Sequence, residues 1–128
     1  MILKIAAILG FISVAFGAYA DHGLSHSLSE ADMHSITTAV RYNQLYAILI
    51  AAIGLTINSQ QNKQHISAMN ISGYLFITGT VLFSFGIYSA ILLKVPALMH
   101  LAPLGGFTLM SAWLSLIYIA TVYKRHKH

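Results

Sequence analysis

The stretch Ile71–Leu93, ISGYLFITGTVLFSFGIYSAILL, runs for 23 residues without a charged side chain. Roughly 20 apolar residues in helical form cross a hydrocarbon core, and a helix satisfies every backbone N–H and C=O within its own segment. The stretch therefore reads as a transmembrane helix. Working outward from it, uncharged runs recur at 5–20, 42–62, 64–93 and 95–123. They predict four spans, at about 5–20, 39–58, 71–93 and 103–123. Composition agrees, because the 128 residues are 57% hydrophobic and 8% charged. That is far below the roughly 25% charged residues of soluble domains, and so few charges cannot cover a water-facing surface. The expected fold is all-α: a polytopic four-helix transmembrane bundle filling one integral membrane domain, 1–128. With no cysteine, disulfides, thiolate metal sites and thiol nucleophiles are excluded.

The formal charge of +4 would suggest nucleic acid in a soluble protein, but here the positions of the charges speak for topology. Lys4, Lys63, Lys124, Arg125 and Lys127 fall at the N-terminus, the second loop and the tail, which four spans place on one side. Arg41 and Lys94 fall on the other, with all three acids, Asp21, Glu30 and Asp32. The basic excess predicts a multi-pass protein of the inner membrane with both termini cytoplasmic. The tail Lys124–His128 reads as a stop-transfer anchor. Lys4, an apolar run and Ala18-Tyr19-Ala20 also mimic a signal peptide, but Gly10, Ser13 and Gly17 suit a packed transmembrane helix, and the segment is read as the first span.

The one sizeable polar stretch is 21–35. Ser27 with Glu30, or Ser29 with Asp32, has the spacing of a capping box, predicting a helix start near Glu30. Leu28, Met33, Ile36 and Val40 supply an apolar stripe, so a short outer interfacial helix is expected before the second span. Residues 58–64 read as a polar connector. Pro96 and Pro103 should break the path between the last two spans.

Polar groups near or within spans are costly and are the leads to function. Arg41 lies near the outer end of the second span, with Gln44 one turn on and Tyr42 beside it. A guanidinium binds a carboxylate or another small planar oxyanion at two points. Arg41, Gln44 and Tyr42, aided by Asn43 and with Asp21, His22 and His100 nearby, are therefore the candidate substrate-binding residues of an outer vestibule for a small anion. The competing reading has Arg41 snorkelling to headgroups or pairing with Asp21, Glu30 or Asp32. His22, His26, Glu30 and His34 recur every four residues and, on a continuous helix, would offer donors for Zn2+ or Cu2+. No named metal pattern accompanies them, and hydrogen-bonding histidines are the alternative.

Ser13/Gly17, Ala47/Ala51, Gly86/Ala90 and Ser111/Ser115 place small faces one turn apart, predicting close helix packing within or between protomers. Thr78, Thr80, Ser84, Ser89, Thr108 and Ser111 can line a polar path or bond back to their own helix. Trp113, near mid-span, reads as a packing residue. No nucleophile motif and no phosphate-binding loop appear, so neither enzymatic activity nor a cofactor is expected.

The chain resembles the bacterial membrane family known as domain of unknown function 423, which is similar to eukaryotic transmembrane protein 256. The resemblance rests on Gly17-Ala18-Tyr19-Ala20-Asp21-His22-Gly23-Leu24, Ala39-Val40-Arg41-Tyr42-Asn43, Phe83-Ser84-Phe85-Gly86-Ile87-Tyr88, and Pro103-Leu104-Gly105-Gly106 followed by Trp113. Asp21 replaces a usual Ala, Tyr46 stands where a His is common, and Ala112 replaces a Gly. The resemblance implies four membrane helices and brings no activity with it. Two functions are expected on the residues: a small oligomeric solute or ion permease with an Arg-centred vestibule, or a non-conducting accessory or scaffold protein. The expected contacts are the lipid bilayer, further copies of the chain or other membrane proteins, and a small anion, with no nucleic acid.

Overall fold

A computed structural model describes residues 1–123, so the anchor expected at Lys124–His128 lies outside the described residues. Helix α1 covers Ile2–Tyr19 and continues as a π turn, Ala20–Leu24. Helix α2 covers Glu30–Ser59, and α3 covers Lys63–Thr80. A second π turn, Val81–Phe85, leads without a break into α4, Gly86–Leu92. A 3-10 turn, Pro96–His100, opens α5, Leu101–Tyr123. These elements make four helical segments long and apolar enough to span a bilayer: Ile2–Leu24, Glu30–Ser59, Lys63–Leu92 and Pro96–Tyr123.

Local chemistry sets the ends. Ser29 caps α2, its Oγ accepting the Asp32 N–H at 3.1 Å, so Ser29 with Asp32 is the capping pair that forms. Asn62 Oδ1 caps α3 by accepting the N–H groups of Gln64 (2.9 Å) and His65 (3.1 Å). At the end of α4, Lys94 takes the left-handed conformation, φ 57°, and the Val95 N–H reaches back to the Ala90 carbonyl at 3.0 Å. This is the Schellman closure, a position that glycine usually fills. The helical path breaks at Lys94–Pro96; Pro103 sits in the first turn of α5, where the helix tolerates a missing N–H.

The stripe expected to lie along the interface as a separate helix is instead the first third of α2. Nothing between Glu30 and Ser59 breaks the helix, because no proline or unpaired turn intervenes. At 1.5 Å per residue its 30 residues reach about 45 Å, well beyond a hydrocarbon core of about 30 Å.

Helices α1 and α2 pack along one another, as do α3 and α5, and α2 and α3 join the two pairs. Glycines bring the backbones together: a Cβ built at Gly54 would lie 2.9 Å from the Leu3 backbone, and one at Gly105 would lie 2.5 Å from Phe83 N. The core has two parts. One gathers Leu9, Ile50, Phe76, Leu109 and Ala112; the other, toward the acidic loop, gathers Leu24, Ile36, Ala39, Ile87 and Tyr88. Large apolar side chains such as Phe11 (75% exposed), Ile48 and Leu114 point outward, as lipid-facing surface should. Ala18-Tyr19-Ala20 lies within the first helical segment, with Ala20 buried in the second core.

Candidate functional site

Helix α2 distributes its polar residues by rotation. Its buried stripe is Ile36, Ala39, Asn43, Ala47, Ile50 and Gly54, a helical spacing of three and four. Arg41 and Gln44 fall off this stripe and are exposed. Arg41 has no ion pair or hydrogen bond with any described residue. Gln44 borders a surface groove of about 300 Å³ between α1 and α2, among Ala6, Gly10, Ser13 and Ala47. Tyr42 turns the other way, half buried, and stacks on Phe83 with ring centres 4.5 Å apart. Asp21 and His22 are exposed on the first π turn, and His100 is exposed at the end of the 3-10 turn. Among the described residues no side-chain bond links any two of these six.

The histidine spacing also does not close. The helix stops at Leu24 and restarts at Glu30, so His22 and His26 are not in phase with Glu30 and His34. Among the described residues no three histidine or acidic side chains come together.

What does converge is a polar cluster in the core. Asn43 is fully buried, and its Nδ2 donates to the Tyr88 hydroxyl at 3.2 Å. Ser84 Oγ donates to the Ala39 carbonyl at 2.7 Å. Tyr88 stacks on Phe16 of α1 at 4.0 Å, so the cluster ties α1, α2 and α4 together. Since α2 and α3 run in opposite directions, the Ser84–Ala39 bond sets their register. One turn inward from Ala39 is Asn43, and one turn inward from Ser84 is Thr80. Among the described residues, Asn43 Oδ1 and Thr80 Oγ1 are both buried without a hydrogen-bond partner. Each such orphan costs about 1–3 kcal/mol, so the cluster is a place where the bundle gives up stability.

The second π turn lies between Thr80 and Gly86. A π turn carries one residue more than an α turn and marks a local departure from regular helix, often at functional sites. Here α5 approaches closest: Gly105 faces the Phe83 amide and the Gly79 carbonyl, and Gly79 in turn faces Leu109. The residues that carried the family resemblance thus coincide with both π turns and with this crossing. In the sequence, Asn43 reads as an aid to Arg41 in binding an anion. The signal that finds it is its place in the 36/39/43/47 stripe, where every neighbour is apolar.

The other polar groups are structural. Thr108 and Ser111 bond back to the carbonyls of Leu104 and Phe107. Ser72 and Ser115 bond to each other across α3 and α5. Trp113 packs edge-on to Phe76, and its Nε1 donates to the Tyr46 hydroxyl at 2.9 Å. Tyr46 therefore joins α2 to α5. Of the small-residue pairs, Gly86 and Ala90 are both buried within the protomer, as are Ser13 and Ala47 of theirs.

A family model described as "Protein of unknown function (DUF423)" matches residues 16–106. The chain is 32% identical over 116 residues to a UPF0382 membrane protein of Haemophilus influenzae, covering 91% of this chain and 90% of the relative. It is 32% identical over 124 residues to the UPF0382 inner membrane protein YgdD of Escherichia coli, covering 96% and 91%. With the UPF0382 membrane protein YwdK of Bacillus subtilis it shares 26% over 125 residues, covering 94% and 99%. No solved structure matches.

Proposed function

The chain belongs to the DUF423 family of membrane proteins, and from that premise we propose that it is a non-conducting accessory or scaffold protein that works through its membrane-facing surface. The observation that carries this reading is the closed interior. Phe76, Ile36 and Ile50 are fully buried, and the backbones meet at Gly54 and Gly105, so side chains and close backbone contacts fill the centre of the bundle among the described residues. The exposed apolar belt provides the contact surface for the bilayer, for further copies of the chain or for other membrane proteins. No step of this role is catalytic. An inner-membrane location with both termini cytoplasmic completes the proposal, supported by the distribution of basic residues and by the relative named as an inner membrane protein.

The test is extraction in mild detergent followed by mass measurement of the complex, paired with flux assays in proteoliposomes. A stoichiometric membrane partner or a defined homo-oligomer, with no flux of ions or carboxylates, is the expected result. Selective flux by the purified protein would overturn it.

One observation favours a second reading, a permease built from several copies. Arg41 and Gln44 are exposed one turn apart, and Arg41 is unpartnered among the described residues, so a neighbouring protomer can complete a vestibule for a small anion there. Carboxylate flux lost in Arg41→Ala would establish it.

A further inference from the structure

A pocket of about 340 Å³ lies between the start of α2 and the turn that joins α4 to α5, lined by Asp32, Ala90, Ile91, Lys94, Pro96 and Met99. That volume is at the low end of small-ligand sites, which begin near 300 Å³. Its walls carry opposite charges, yet Asp32 and Lys94 do not form an ion pair. The backbone explains why they stay apart. Asp32 is held in the capped first turn of α2 through its own N–H. Lys94 is held in the left-handed closure of α4, with Pro96 two residues on. The floor between them is apolar, with Ala90 and Ile91 in the buried core.

We propose that this pocket binds the zwitterionic headgroup of phosphatidylethanolamine, the ammonium on Asp32 and the phosphate on Lys94. A simple anion would be drawn to Lys94 and repelled by Asp32, and a simple cation the reverse. A ligand carrying both charges a few bonds apart satisfies both walls and leaves neither charge unpaired. A primary ammonium adds N–H donors for the carboxylate, which a quaternary ammonium lacks. The lipid source follows from position. Helix α2 is longer than a hydrocarbon core is thick, and its first turn carries Glu30 and Asp32, charges that headgroups solvate and hydrocarbon does not. Leu92, Leu93 and Val95, exposed beside Lys94, offer apolar surface to the acyl chains. The inference stands whether or not the protein conducts.

The experiment is native mass spectrometry of the full-length protein in detergent, titrated with short-chain phosphatidylethanolamine, phosphatidylglycerol and soluble phosphoethanolamine. Phosphatidylethanolamine should be retained about tenfold more tightly than phosphatidylglycerol, the ratio that one charge-assisted contact supplies. Asp32→Asn should abolish the preference, Lys94→Gln should weaken retention of both lipids because both carry the phosphate, and Glu30→Gln, which changes an exposed acid outside the pocket, should keep the preference. Asp32→Asn preserves the backbone N–H that the cap uses, and far-ultraviolet circular dichroism verifies folding of each variant. If a variant does not fold, the headgroup ratio of the unsubstituted protein decides. Equal retention of the two lipids, or a preference that survives Asp32→Asn in a folded protein, would overturn the proposal. Soluble phosphoethanolamine binding as tightly as the lipid would overturn the lipid assignment in favour of a soluble zwitterion.

Discussion

Gly105 and Gly106 are adjacent, share a helix and cannot be told apart by residue type, yet substitution by alanine should act on them in opposite directions. A Cβ at Gly105 would lie 2.5 Å from Phe83 N, 2.7 Å from the Gly79 carbonyl oxygen and 2.9 Å from Phe83 Cα. All three are backbone atoms of a packed helix, so no side-chain rotation relieves the clash, and α5 must move away from α3. Overpacking of this kind costs about 1–3 kcal/mol, and rigid neighbours place Gly105→Ala near the upper end. The helix preference of alanine over glycine returns about 1 kcal/mol. The net loss is about 2 kcal/mol. At Gly106 no described residue lies within 4 Å of the added carbon, so only the helix preference acts and Gly106→Ala should gain up to about 1 kcal/mol. The two variants should therefore differ by about 3 kcal/mol, roughly a hundredfold in the folded-to-unfolded ratio. Unfolding in mixed micelles of increasing dodecyl sulfate, followed by fluorescence of Trp113, measures the difference. Trp113 is the only tryptophan of the chain and reports separation of α5 from α2 through its contact with Tyr46. Equal stabilities for the two variants would refute the close approach of α5 to the second π turn.

The same assay checks three further expectations. Thr80→Val, which replaces a buried hydroxyl without a partner by a methyl group of similar size, should stabilise the protein by about 1 kcal/mol; a loss of that size would mean the hydroxyl has a partner after all. Lys94→Gly, in ligand-free detergent, should stabilise by about 1 kcal/mol, because glycine takes the left-handed conformation without the Cβ clash; no gain would argue against the Schellman closure. Ser29→Ala should cost about 1 kcal/mol and speed hydrogen exchange at the Asp32 amide by roughly fivefold or more. Unchanged exchange there would show that the Ser29 cap does not hold the start of α2.

The spans were legible in the sequence because a bilayer makes one demand, uncharged length, and the four uncharged runs meet it. The start of α2 was legible because Ser29 and Asp32 stand at the spacing that a cap requires. The single long helix was not, since a stripe such as Met33, Ile36 and Val40 looks alike on an interfacial helix and on the overhanging end of a span. The polar core was partly legible. Arg41 attracted attention as a charge, but a charge on the exposed side of a helix reaches outward without a partner, whereas Asn43, two residues on, is turned into the core. Its importance is set by rotation around α2, which only the 36/39/43/47 spacing records. The π turns carry no residue signature, because an i→i+5 bond depends on what presses against the helix. For the second turn, the backbone of α5 at Gly105 lies against it.

The contacts at Gly54 and Gly105 each close between spans that follow one another in the chain, α1 with α2, and α3 and the second π turn with α5. Each half is thus a hairpin whose tightest contact can form as soon as that hairpin is in the bilayer, before its counterpart has been synthesised or has arrived. The polar links that cross between the halves, Asn43 to Tyr88, Ser84 to the Ala39 carbonyl and Trp113 to Tyr46, must wait for both. They act as fasteners that read whether the two hairpins have met in the correct orientation, a check that lipid-facing leucines and isoleucines, compatible with any neighbour, have no means to perform.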